Sequence, residues 1–267
     1  MNKTLPLIIV GGIAVLVIVG FVALRAKPQA GTPAPDAVVT PSLPIPERLT
    51  GVSSTPLAGP RVEFGAPKKS AHFESSTPAH GAKLAAPPVN VVIDFNFDLV
   101  SKSSISVTSG GKEYGTGATV IDANRSAMRR TVDQASPDGL YAVTYQACWP
   151  DGSCHDGQFQ FAIDRTGASA VLDLRGQNAV SVDLKDIAFA PAIIRISKGT
   201  DVTWTNTDAV EHYVNTDAHP AHTYFPAQNS KALKTGDTYR LAFDAPGAYP
   251  YHCSAHADSM LGTILVE

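Results

Sequence analysis

The sequence predicts an all-β protein: two β-sandwich domains behind an N-terminal transmembrane helix and a Pro-rich linker. Three observations carry that reading. From residue 71 onward apolar and polar residues alternate in short runs, the period-2 signature of half-buried strands. Breaks rich in glycine or aspartate, such as "SGGKEYG" and "SPDG", separate the runs as turns separate the strands of a sandwich. The one long apolar run stands at the amino terminus. A chain of 267 residues has room for about two domains. A net charge of −3 offers no basic face, so no nucleic-acid partner is expected.

"LPLIIVGGIAVLVIVGFVAL", residues 5–24, carries no charge and reaches the roughly 20 residues that a membrane-spanning helix needs. Residues 1–25 are therefore assigned as an anchor or signal. A cleaved signal peptide is the competing reading; its apolar core is shorter, about 7–15 residues, and it ends in a small-x-small site that "ALRAKPQA" matches poorly. Either way the rest of the chain is exported, attached to the membrane or free outside the cytoplasm. Residues 26–70 hold nine of the twenty prolines and read as an extended linker. The first sandwich spans 71–164. In it Ile93, Phe95 and Phe97 alternate with Asp94, Asn96 and Asp98; Tyr141, Val143 and Tyr145 alternate likewise, as do Phe159, Phe161 and Ile163. A linker at 165–177 leads to the second sandwich, 178–267. There Val180, Val182 and Leu184 share a face, followed by Val202 and Trp204, then Tyr239, Leu241 and Phe243.

The chain has three cysteines, Cys148, Cys154 and Cys253. An odd cysteine in an exported protein either finds a partner or has a task. "YHCSAHADSM" sets Cys253 beside His256 and Met260 in one loop, and "VEHYV" places His212 just beyond a strand. A thiolate, two imidazoles and a thioether make a soft, mixed ligand set. A trigonal His2Cys site with a long axial Met is a blue-copper electron-transfer site. His252 should point opposite to Cys253 if its strand alternates, which makes it either a solvent-side residue or one that supports the ligands from behind. His219 and His222, in "DAHPAHTYFP", read either as an ordinary polar loop or as an accessory copper-loading site.

"AFAPAIIRISKGTDVTWTNTDAVEHYV" and "FDAPGAYPYHCSAHADSMLGTILVE" resemble the plastocyanin-type cupredoxin family across residues 178–267. The resemblance implies a Greek-key sandwich with one copper near its end, held by His212, Cys253, His256 and Met260. It also implies that the Tyr213 amide donates to the Cys253 sulfur and that the His256 ring edge is the electron port. Three residues separate His256 from Met260 here, where family members with this Cys-x-x-His spacing have two or four.

"AHFESSTPAHGAKLAAPPVNVVIDFNF" and "GLYAVTYQACWPDGSCHDGQFQFAID" resemble the CopC-type copper-resistance domain, which is an immunoglobulin-like sandwich. That family's Cu(II) site uses an amino-terminal histidine with an Asp and a His from a "DGH"-type turn. Here the turn reads "DGSCHDG", with Ser153 where the histidine aligns, and His72 lies behind the linker. Asp151, His72 and His155 are the candidates for a second copper; a metal-free rigid spacer is the alternative. Cys148 and Cys154 bracket "WPDGS". In an oxidising compartment they form a disulfide, the alternative being a Cu(I) thiolate site with His155.

The expected function is copper binding with one-electron transfer, its partner a redox protein or a copper donor or acceptor. Nothing in the sequence resembles a nucleophile–base pair, a phosphate-binding loop or a second copper centre of the oxidase kind, so neither an enzyme nor a small-molecule substrate is expected. The rival reading is a protein that stores or delivers copper, or confers resistance to it.

Overall fold

The computed structural model of the protein describes residues 62–167 and 170–267. The expected membrane segment at 5–24 and the linker up to residue 61 lie outside the described residues. Among the described residues no helix is long and apolar enough to cross a membrane.

The first sandwich is built from β1 (Phe73–Thr77), β2 (Lys83–Leu84), β3 (Asn90–Phe95), β4 (Ser104–Ser109), β5 (Lys112–Glu113) and β6 (Gly115–Ile121). It is completed by β7 (Ala127–Val132), β8 (Gly139–Cys148) and β9 (Cys154–Ile163). Its two sheets run β1-β3-β7-β6 and β2-β9-β8-β4-β5. Tyr141, Val143, Tyr145, Phe159, Phe161 and Ile163 all face the core between them, as their alternation requires. β8 and β9 pair antiparallel along their whole length, Gly139 against Ile163 through Cys148 against Cys154. The Cys148–Cys154 disulfide closes the end of that ladder.

The second sandwich comprises β10 (Leu172–Asp173), β11 (Ala179–Lys185), β12 (Ala188–Ala190), β13 (Ile193–Ile196) and β14 (Asp201–Asn206). β15 (Asn215–Thr216), β16 (Thr238–Ala242), β17 (Gly247–His252) and β18 (Leu261–Val266) follow. The sheets run β10-β13-β18-β17-β15 and β12-β11-β14-β16. Trp204 is fully buried at the centre, with the rings of Tyr239, Phe243 and Tyr251 around it at 5.6–6.3 Å. β17 and β18 pair through a close approach: a Cβ at Gly262 would come within 2.3 Å of the Tyr251 ring that lies over it. That contact pins the register of the two strands flanking the Cys253–Met260 loop.

Two segments expected as linker carry structure. Lys68 forms a backbone bridge with Gln158 of β9, and Leu172–Asp173 adds to the second sandwich as β10, parallel to β13.

The alternation in β3 is overridden. Val91 through Phe95 are all buried, Asp94 included, while Phe97 is 48% exposed beyond the strand end. The reason is that the second sandwich covers the outer face of this sheet. Val92 and Ala127 belong to the same hydrophobic cluster as Trp204 and Tyr224. Tyr224 Oη accepts from the Val89 amide at 2.8 Å and donates to the Ala248 carbonyl at 2.7 Å. Arg129 pairs with Asp122 and donates to the carbonyls of Thr223 at 3.0 Å and Tyr224 at 3.2 Å. Thr223 Oγ1 in turn donates to Asp94 Oδ1 at 2.6 Å.

Candidate metal centre

At one end of the second sandwich β17 delivers Cys253, a single 3-10 turn, Ser254–His256, delivers His256, and Met260 closes the loop just before β18. Backbone hydrogen bonds hold this loop shut: Cys253 N to Met260 O at 3.0 Å, His256 N to Cys253 O at 2.8 Å, and Met260 N to His256 O at 2.9 Å. His212 arrives from the far side, after β14, on a segment bridged to Leu233. The buried Asn206 side chain fixes that segment by donating to the carbonyls of Val210 at 2.8 Å and Leu233 at 2.7 Å.

The donor atoms converge. Nδ1 of His212 lies 3.5 Å and Nδ1 of His256 3.6 Å from Cys253 Sγ. Metal–nitrogen bonds near 2.0 Å and a metal–sulfur bond near 2.3 Å, opened to 110–120°, place N and S about 3.5–3.7 Å apart. Both N–S distances therefore suit a single shared transition-metal ion. His212, Cys253 and Met260 are fully buried, while the His256 ring is half-buried. The Tyr213 amide points at the sulfur from 3.4 Å. Nε2 of His212 is 2.9 Å from Asp208 Oδ2. Donation from Nε2–H to that carboxylate leaves Nδ1 bare for the metal, the usual carboxylate–histidine–metal arrangement. Asp208 itself is held below the usual carboxylate range by the Ile187 and Asp186 amides and then by His212.

The accessory loop lies behind this centre. His219 and His222 are joined there by His252, and one nitrogen from each ring falls within 4.8 Å of the other two. His252 does point away from Cys253, yet it is buried rather than solvent-facing. Its Nδ1 contacts Asp217 Oδ1 at 2.9 Å and its Nε2 faces His222 Nε2 at 3.1 Å. Burial, then the neighbouring His252 and His219 rings, pushes the His222 imidazole below its ordinary range. The sequence signal for His252 was its adjacency to Cys253; what hid it was the 30-residue gap to its partner.

In the first sandwich the expected trio is not gathered. His72 Nδ1 contacts Asn96 Oδ1 at 2.9 Å, and its ring stacks on Phe97. The Asp151 carboxylate accepts from the Ser153 amide at 2.9 Å and hydroxyl at 2.7 Å, closing its own turn. The indole of Trp149 lies against both the His72 and His155 rings. Among the described residues only the His212 and His219 groups bring three such donors together. Both cysteines beside His155 are consumed in the disulfide, which leaves no thiolate for Cu(I) there; Cys253 is the free cysteine.

Comparison with known proteins agrees with the geometry. The family of copper binding proteins of the plastocyanin/azurin type matches residues 177–267, and the CopC domain family matches residues 73–164. Amicyanin-alpha of Methylorubrum extorquens is 32% identical over 101 residues, 38% of this chain and 82% of that protein. Chloroplastic plastocyanin of Tetradesmus obliquus is 32% identical over 112 residues, 38% of this chain and 74% of that protein. A solved CopC from Methylosinus trichosporium OB3b is 22% identical, covering 36% of this chain and 94% of its own, with a TM-score of 0.33. Copper is accordingly the metal for this donor set. Through residues 177–267 the chain belongs to the plastocyanin/azurin family of copper-binding proteins, with a CopC domain match at 73–164 ahead of it.

Proposed function

We propose that the protein is an exported, membrane-anchored blue copper protein that carries single electrons through a type 1 site formed by His212, Cys253, His256 and Met260. The observation that carries this reading is the convergence of two imidazole nitrogens on one buried thiolate sulfur at 3.5–3.6 Å. Copper bound there supplies a one-electron couple. The chain's contribution is rigidity: strand ends, the Asn206 clamp and the Asp208 contact hold the ligands in place, so little reorganisation accompanies the change of charge. The half-buried His256 ring is the route in and out. Val210, 50% exposed, and Leu261, 56% exposed, flank the ligands in sequence and offer an apolar rim for a redox partner. The apolar run at 5–24 attaches the protein to the membrane, with both sandwiches outside the cytoplasm.

Copper-loaded protein should show an intense visible thiolate-to-Cu(II) band and a reversible redox couple, and Cys253→Ser should abolish the colour. A loaded protein that stays colourless and EPR-silent under oxidising conditions overturns the reading. The CopC match favours a second reading, copper storage or delivery. That reading requires copper that exchanges readily with a chelator; the electron carrier holds its copper tightly.

A further inference from the structure

We propose that His219, His222 and His252 form a second metal site, separate from the Cys253 centre, that takes Cu(II) through three imidazole nitrogens. Nε2 of His252 and Nε2 of His222 stand 3.1 Å apart. Two metal–nitrogen bonds of about 2.0 Å meeting at about 100° span that distance. A hydrogen bond between the two rings would explain this pair but not the third ring, His219, whose centroid is 5.4 Å from each. His219 is exposed on its loop, so its side chain is free to turn and close its nitrogen, now within 4.8 Å of the other two, toward the roughly 3.1 Å that a shared metal sets between nitrogens.

The surroundings are those of a ligand set. Asp217 Oδ1 takes the Nδ1 side of His252 at 2.9 Å, which fixes the ring and aims Nε2 at the cluster. Ser254 Oγ sits 3.1 Å from His222 Nε2. His222 is held at φ 52°, a conformation that costs a branched-free polar residue free energy and that persists where surrounding contacts enforce it. His219 and His252 also line a cavity of about 270 Å3 between the two sandwiches, walled further by Ser76, Thr77 and Pro250. A three-coordinate metal there keeps a position open to that cavity, large enough for water or a small anion. Imidazole suits Zn, Cu and Ni, and Cu(II) binds tightest among the divalent first-row ions. Because His252 and Cys253 are consecutive, one peptide unit joins the two centres.

The full-length chain in detergent, loaded with Cu(II) and desalted, tests this by stoichiometry and EPR. The Cys253→Ser protein should be colourless yet retain a copper with imidazole-nitrogen EPR features. Adding His219→Ala and His222→Ala should remove that copper, whereas His72→Ala with His155→Ala should not. In the otherwise unaltered protein, His219→Ala with His222→Ala should lose one equivalent and keep the visible band, which reports an intact fold. Should that pair disturb the band, His219→Ala alone, at an exposed position, decides: it should weaken the second copper by at least about tenfold. Unchanged affinity on changing His219, or loss of the second copper only on changing His72 and His155, overturns the proposal.

Discussion

Asp208 shows how one side chain can orient a candidate metal ligand, His212, without binding the metal itself. Its two carboxylate oxygens receive the Asp186 amide at 2.8 Å, the Ile187 amide at 2.9 Å and His212 Nε2 at 2.9 Å. Removing such an outer partner typically costs 10–100-fold in metal affinity. Asp208→Ala should therefore weaken copper retention by about that factor, measured by competition with a chelator, while the visible band keeps its position. An unchanged affinity would mean that the Asn206 clamp alone orients His212. Met260→Leu should leave the colour and raise the potential, because a weak donor to Cu(II) is lost from a fully buried site and the apolar surround favours Cu(I). Cyclic voltammetry reads that shift; an unmoved potential would place Met260 outside the copper's coordination. At this scale the candidate donors were legible from spacing and residue type, since three of the four lie in one loop. His252 was not, because its partners sit on a segment some 30 residues away and only the pairing of β15 with β17 brings the two together.

Among the elements, the β8–β9 hairpin shows a short covalent closure on a long ladder. The disulfide spans a separation of 6 residues, so the entropy it removes from the unfolded chain corresponds to about 2 kcal/mol. Cys148→Ala with Cys154→Ala should lower the stability of the first sandwich by roughly that amount in chemical unfolding. The blue band should be untouched, because Cys253 has no part in the pair. Loss of the band would tie the hairpin to the copper centre. The strand faces of β8, β9, β11 and β14 follow the period-2 pattern because each has one face in its own core and the other toward solvent. β3 departs from it: a strand covered on both sides has no polar face to show, and Asp94 is buried with a hydrogen-bonded partner on either oxygen, Ser75 at 2.8 Å and Thr223 at 2.6 Å.

Across the molecule, the two sandwiches are cemented by Tyr224, Arg129 and Asp94. Burial pushes the Asp94 carboxyl above its ordinary value of 3.8, and the hydrogen bonds from Thr223 and Ser75 only partly offset it. A raised carboxyl holds its proton longer in the folded state than in the unfolded chain, so ionising it works against folding. Stability falls as the pH rises from 3.8 through the folded-state value, and the cost stays in place above it. Asp94→Asn should therefore raise the melting temperature at pH 7, with the gain shrinking toward zero below about pH 4. A lower melting temperature at pH 7 would show instead that the anion is needed beside Arg129.

Local pattern was enough to establish the all-β class and the inward faces of most strands and to single out the candidate copper donors, because period-2 alternation and ligand chemistry are properties of neighbouring residues. Docking of one sandwich on the other, the burial of Asp94 and the meeting of His219, His222 and His252 come from the folded arrangement alone. Each depends on contacts between segments far apart in the chain, and no local periodicity encodes which surface a second domain will cover.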